Sequence, residues 1–216
     1  MIIALCDVKL DPLVYLFILI MLCGDIELNP GPIPSNDSFE FVSSPSTNSF
    51  SDASDVRGRN KLRFVHLNVR SLLPKIDQIS VEFSEYDIIA LTETFLDASI
   101  ENDDINIPGY YPPFRKDRSR HGGGVCIYVK QTIFAQRYEF HQYDIEEIWL
   151  KIRTHNTSFF FACVYRPPNA DNEFWYNFTV SVQHVKSQND PKLYIVGDLN
   201  SNFLVDTTYK LYSQIH

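Results

Sequence analysis

The 216-residue sequence has no apolar run long enough to form a membrane-spanning helix. The longest unbroken one, Leu13 to Cys23, is 11 residues, and about 20 are needed to cross a bilayer. A membrane partner is therefore not expected, and the run reads as a signal-peptide-like segment or an apolar nascent-chain segment. The basic flank of a secretory signal is poor, since Lys9 is offset by Asp7 and Asp11. Cysteine is also sparse: Cys6, Cys23, Cys126 and Cys163 form no C-x-x-C pair. That spacing argues against a disulfide scaffold or a structural zinc site and for reduced, buried thiols. Positive charge is in deficit, with a formal net charge of −8. The deficit is uneven, however: residues 1–60 carry 3 basic and 8 acidic side chains, residues 61–216 carry 16 and 19. A nearly neutral folded part does not exclude a nucleic-acid partner, because phosphate neutralisation needs only a local basic face. Nor is there an internal repeat at a fixed period.

What is present divides the chain into three parts: residues 1–32, 33–60 and 61–216. The apolar run leads directly into Gly24-Asp25-Ile26-Glu27-Leu28-Asn29-Pro30-Gly31-Pro32. This resembles the picornavirus-type ribosome-skipping peptide, in which D-x-E-x-N-P-G-P follows an apolar helical stretch, and every fixed position is present. The resemblance implies that the Gly31–Pro32 bond is often not made, proline being a bulky acceptor with a fixed φ. The bland reading is an Asn-Pro-Gly-Pro turn. Residues 33–60 are rich in Ser, Asn, Asp and Pro without apolar periodicity, the composition of a flexible linker.

From Lys61 onward, short apolar runs alternate with helical patterns. Strands are predicted at Leu62–Leu67, Asp87–Thr92, Gly124–Lys130, Ile133–Phe140, Ile148–Arg153, Ser158–Tyr165 and Lys192–Val196. Leu72, Leu73, Ile76, Ile79 and Phe83 recur at helical spacing, with Pro74 in the first turn, and Phe174, Phe178, Val182 and Val185 mark a second helix. Strands arriving both in hairpins and across helices indicate an α/β fold of mixed sheets flanked by helices.

Four predicted strands end in polar residues: Asn68-Val69-Arg70, Glu93-Thr94, Tyr165-Arg166-Pro167-Pro168 and Asp198-Leu199-Asn200. Polar groups just past buried strands can be held rigidly, as a preorganised site requires. Read in order, HLNVRSL, LTET, RHGGGVCIYV, VYRPP and GDLN resemble the endonuclease/exonuclease/phosphatase superfamily, and within it the endonucleases of LINE-type (non-LTR) retrotransposons. The resemblance covers residues 61–205. It implies an incomplete layered, DNase I-like α/β sandwich and Mg²⁺- or Mn²⁺-dependent phosphodiester hydrolysis that nicks DNA, with no small-molecule cofactor. A reverse transcriptase would follow downstream.

By matching positions, Glu93 would be a metal ligand assisted by Asn68. Asp198 would orient and deprotonate the attacking water, Asn200 would fix the phosphate, and Tyr165 would donate to a phosphate oxygen. Each has a plainer alternative: Asp198 and Asn200 could close a turn, Glu93 could begin a helix, Asn68 could hydrogen-bond a loop, and Tyr165 could be a half-buried strand aromatic. Arg115, Lys116, Arg118 and Arg120 are either a phosphate-contacting loop or a solvated hairpin. Arg166 either touches DNA or closes its strand. His121-Gly122-Gly123-Gly124 reads as a tight turn rather than a phosphate cradle, because no helix follows it.

The family pattern also ends in Ser-Asp-His, supplying a second metal-side carboxylate and a histidine at the scissile phosphate. That motif is not found here, and none of the six histidines stands in its context. The expectation is a truncated, inactive or weakly active fragment, with a non-catalytic DNA-binding remnant or an inositol or lipid phosphatase as alternatives. Localisation is expected to be nuclear or cytoplasmic, or secretory if residues 13–23 act as a signal.

Overall fold

The computed structural model describes residues 61–140, 143–154, 157–188 and 191–201, together with the backbone of two N-terminal strands, β1 (Ile3–Lys9) and β2 (Phe17–Ile18). The skipping-type peptide with Gly31 and Pro32, and the linker at 33–60, lie outside the described residues. Among the described residues, ten strands, including β1 and β2, and two α-helices follow in the order β1, β2, β3 (Lys61–Asn68), α1 (Ile76–Glu82), β4 (Ile88–Thr92), β5 (Phe114–Lys116), β6 (Val125–Val129), β7 (Phe134–Arg137), β8 (Glu146–Arg153), β9 (Ser158–Tyr165), α2 (Asn172–Lys186) and β10 (Lys192–Asp198). No helix among the described residues is long and apolar enough to cross a membrane.

Two five-stranded sheets result, ordered β1-β3-β4-β6-β5 and β2-β10-β9-β8-β7. At the centre of each is a parallel pair joined across a helix: β3 and β4 through α1, β9 and β10 through α2. An antiparallel strand borders each pair, β6 on β4 and β8 on β9. Both sheets are thus mixed, as the strand and helix pattern predicts. The two N-terminal strands add to the inner parallel pairs, β1 antiparallel on β3 and β2 parallel on β10, a role that periodicity did not reveal.

Strands β4, β6, β9 and β10 are buried on both faces because helices and loops cover the outside and the sheets cover each other. Leu62, Phe64, Ile88, Ala90, Val125 and Ile127 of the first sheet meet Ile148, Leu150, Phe161, Cys163, Tyr194 and Val196 of the second. Phe64 contributes edge-on contacts to both Phe161 and Tyr194, with centroids 5.4 and 6.1 Å away, a favoured arrangement for aromatic pairs. The opposite faces hold two further cores. Val65, Leu67, Ile89 and Leu91 pack with Leu72, Ile79 and Phe83. Ala162, Val164, Leu193 and Ile195 pack with Phe174, Phe178, Val182 and Val185 of α2. Of the apolar positions that predict the helices, Leu72, Ile79 and Phe83 and all four of α2 are buried here, while Leu73 and Ile76 are partly buried. Helix α2 is capped by Asp171, whose side chain accepts from Glu173 N at 3.0 Å.

One local expectation needs correction. The basic stretch expected as a loop ahead of a strand begins as a strand itself, β5, with Phe114 opposite Ile127 and Lys116 opposite Val125. Strands β7 and β8, close in sequence, do pair antiparallel, while β6 belongs to the other sheet. The turn at Lys130–Ile133 carries the chain between layers, with Ile133 N donating to Lys130 O at 3.0 Å.

One buried carboxyl stands out beneath α2. Glu147 is 1% exposed and accepts a 2.6 Å hydrogen bond from Ser181 Oγ. Burial pushes it up to about 7 from an ordinary value of 4.5, against the opposing pull of that hydroxyl. Between those values the folded chain keeps a proton that the unfolded chain releases, so this residue's contribution to stability falls as pH rises through the window. Glu147→Gln is therefore expected to gain stability relative to wild type as pH rises from 4.5 to about 7, by about 1–3 kcal/mol at the plateau. Urea unfolding at stepped pH measures this, and a difference that does not change with pH would show that the carboxyl is already ionised in the fold.

Candidate active site

Side chains alternate along a strand, so the residues that continue the inner face of each sheet past its apolar core fall at one end of the space between the sheets. Counting by twos from Phe64 gives His66 and Asn68. From Phe161 and Cys163 it gives Tyr165, and from Tyr194 and Val196 it gives Asp198. β3, β4, β9 and β10 are mutually parallel within each pair, and the register sets Asn68 opposite Thr92 and Asp198 opposite Tyr165.

The termini are tied across the gap. Asn68 Nδ2 donates to Asp198 Oδ2 at 2.8 Å, and Tyr165 Oη donates to Glu93 Oε1 at 3.3 Å. Asp198 is buried and its other oxygen accepts from Asn200 N at 3.1 Å. Its approach to β9 depends on Gly197: at φ 152° a Cβ there would run into the Val164 backbone. The Tyr165 hydroxyl is pushed up to about 12, first by burial and then by the negative charge of Glu93. It therefore remains a proton donor at neutral pH.

Glu93 sits in a strained connection. Both it and Phe95 have φ of 54°, a left-handed conformation that non-glycine residues adopt at a cost of about 1–2 kcal/mol. Two other loops hold it there. Ser71 N and Leu72 N donate to Glu93 O and Thr94 O at 2.9 Å each, while Thr94 N and Phe95 N donate to Gly124 O and Gly123 O at 3.3 and 3.0 Å. Lys75 in turn braces the first of these loops by donating from Nζ to Arg70 O at 2.9 Å and to Val69 O. Arg70 Nε lies 3.9 Å from Glu93 Oε2.

The basic residues separate. Arg118 comes to the site, its guanidinium carbon 5.7 Å from the centre of the Tyr165 ring and its Nη1 2.8 Å from Glu146 Oε1. Arg115 points to the other face, where it pairs with Asp117 at 2.6 Å and donates to the carbonyls of Asp97 and Ile100 at 3.0 and 2.8 Å. Lys116 donates to Ile145 O at 2.6 Å. Arg120 is exposed on the turn between Ser119 and Gly122. Arg166 lies at the end of β9, donating to Ala170 O and, at 3.4 Å, to Asn200 O. Its own carbonyl accepts from Asn200 Nδ2 at 2.7 Å. The Asn200 amide thereby ties the loop after β10 to the loop after β9.

Glu146 was missed from the sequence. It continues the inner series Ile152, Leu150, Ile148 backwards along β8 and pairs in register with Tyr165. That parity was the available signal; the residue was passed over because the predicted strand began at Ile148.

The donor set suits a hard divalent cation. Asn68 Oδ1 is buried with no hydrogen-bond partner among the described residues, and Glu93 supplies a half-buried carboxylate. Mg²⁺ is held by oxygen donors, commonly one or two carboxylates, and keeps several waters. No group of three or more His, Cys, Asp or Glu that could hold a metal occurs among the described residues, so such an ion would rest on this mixed carboxylate and amide pair.

No curated protein matches the chain. Among solved structures, it is similar to the endonuclease domain of TRAS1, a telomere-specific non-LTR retrotransposon, at 14% identity over 71% of this chain and 69% of that one, with a TM-score of 0.52. It is also similar to the mannosyl-6-phosphatase Bt3783 of Bacteroides thetaiotaomicron, at 16% identity over 71% and 69% with a TM-score of 0.51. A third is the 3′ phosphatase NExo of Neisseria bound to a product DNA hairpin, at 13% identity over 70% and 69% with a TM-score of 0.50. These likenesses bear on the fold, two mixed sheets of the DNase I-like kind. Residues 65–210 match the sequence model of the Endonuclease/Exonuclease/phosphatase family, and the chain belongs to that family.

Proposed function

We propose that this member of a phosphodiester-hydrolysing family is the DNA-nicking endonuclease of a non-LTR retrotransposon, working with Mg²⁺ or Mn²⁺ and followed in the intact element by a reverse transcriptase. One observation carries the reading: Asn68 to Asp198 and Tyr165 to Glu93 are hydrogen-bonded pairs drawn from four separate strand termini. Family members generally use divalent metals. The order of HLNVRSL, LTET, RHGGGV, VYRPP and GDLN supports the retrotransposon branch, as does the likeness to an endonuclease domain from such an element.

In this reading Glu93 and Asn68 Oδ1 hold the cation, which when bound neutralises charge on a phosphate oxygen. Asp198 accepts a proton from the attacking water. Its two oxygens are oriented by Asn68 Nδ2 and Asn200 N, which fixes the lone pair that faces the substrate. Tyr165, protonated at neutral pH, donates to the oxygen on which charge develops. Asn200 has a second amide N–H beyond the one on Arg166 O, suited to a phosphate oxygen. Arg118, Arg120 and Arg166 supply cations to the DNA backbone without reading sequence. Arg115 and Lys116 complete that basic set, and their charged ends also hold loop carbonyls, as does that of Arg166.

Two outcomes test the reading. Mn²⁺ binding followed by electron paramagnetic resonance should weaken at least tenfold in Glu93→Gln, and equal affinity in the two proteins would remove Glu93 as a ligand. Metal-dependent nicking of supercoiled plasmid should fall to the buffer rate in Asp198→Ala and by about 10²-fold in Tyr165→Phe, the scale of losing one donor to a developing charge. Asp198→Ala nicking at the wild-type rate would leave the chain without its base. Turnover of a sugar phosphate in preference to DNA would move the assignment to the phosphatase branch.

A further inference from the structure

A second carboxylate stands at the same end of the sheets, outside the roles assigned so far. Glu146 opens β8, facing inward, and each of its oxygens is engaged. Oε1 takes Arg118 Nη1 at 2.8 Å, and Oε2 accepts from Gly124 N. Arg118 Nε also donates to Gly122 O at 3.0 Å. The glycine run is thus tied to Glu146 directly and through the guanidinium.

The glycines make this packing possible. Gly123 and Gly124 have φ of 70° and 87°, and a Cβ on Gly123 would meet both the Arg118 guanidinium and Glu146 Oε2. A Cβ on Gly124 would meet Thr94 Oγ1. The RHGGG stretch is therefore a seat for a side-chain ion pair. The carbonyls of this same turn accept from Thr94 N and Phe95 N. Those bonds flank Glu93 and hold one side of its left-handed connection. On the other side, Arg118 lies against the ring of Tyr165, whose hydroxyl donates to Glu93.

We propose that Glu146 is a positioning residue for the cation site, clamping the Gly123–Gly124 turn and Arg118 so that Glu93 and Tyr165 are held in place. The inference rests on the reading of Glu93 as a divalent-cation ligand. Glu146 itself need not touch the ion: it acts through two backbone bonds and one guanidinium. Loss of the carboxylate frees Gly124 N–H and Arg118 Nη1 together, so the turn whose carbonyls accept from Thr94 N and Phe95 N loses its clamp.

The experiment uses the full chain, with Mn²⁺ alone as the probe and paramagnetic resonance as the readout. Glu146→Ala is expected to weaken Mn²⁺ binding about 5- to 20-fold while keeping a cooperative thermal melt. Glu146→Gln retains an oxygen to accept from Gly124 N–H and should return the affinity to within about threefold of wild type. Unchanged affinity in Glu146→Ala, alongside a large loss in Glu93→Gln, would overturn the positioning role and leave the cation site standing. Unchanged affinity in Glu93→Gln as well would instead remove the cation site. If Glu146→Ala does not melt cooperatively, Glu146→Asp decides. One methylene shorter, it keeps the charge beside Arg118 but draws back from Gly124. At least a threefold loss is then expected, and wild-type affinity overturns the proposal.

Discussion

The period of two along a β-strand couples packing to chemistry in this chain. Phe64, Phe161, Tyr194 and Val196 press the two sheets together, and the positions that follow them in the same alternation are Asn68, Tyr165 and Asp198. No separate scaffold is needed to aim the polar groups, because the core aims them. The coupling also makes register decisive. A one-residue slip of β10 against β9 would turn Asp198 toward α2 and bring Gly197 to the inner face, and the Asn68 hydrogen bond could not form. The extended close contact of Gly197 with the Val164 backbone opposes such a slip, since the tight approach suits no other residue.

Beyond the strand ends, order is imposed by backbone hydrogen bonding. Glu93 leaves β4 in a conformation that its own side chain disfavours, and partners from two distant loops bracket it. Left-handed strain held between such supports clusters at preorganised sites. Asp198 illustrates the complementary device. A buried carboxylate is expensive without donors, and here one side-chain amide and one backbone N–H supply them. The polar groups at the site are likewise paired by neighbours distant in sequence, Arg118 with Glu146 and Tyr165 with Glu93.

Much of this was legible in the residues. The apolar repeats at Phe174, Phe178, Val182 and Val185 mark α2 because a helix packed on a sheet must bury one stripe. The β9 and β10 runs are visible because strands covered on both faces are apolar almost throughout. The motifs at Asn68, Glu93, Tyr165 and Asp198 declare themselves as polar residues breaking those runs. What could not be read is what depends on partners distant in sequence. Phe114–Lys116 looks like a charged loop, and becomes a strand only because β6 offers an edge. Four basic residues in a row of six look alike, yet alternation sends Arg115 to the Asp117 side and Lys116 to Ile145. Glu146 carries no local signal beyond its parity, since its partners Arg118 and Gly124 lie 28 and 22 residues away.

Strands β1 and β2 border β3 and β10, the first and last strands of the central parallel pairs. Both precede Gly31–Pro32, whereas every strand they join comes after it. A ribosome that omitted that one peptide bond would release the bordering strands and the sheets as separate molecules. The two edges would then be filled only by reassociation, at a level set by the concentration of the released peptide, so translational bookkeeping would govern the completeness of the fold.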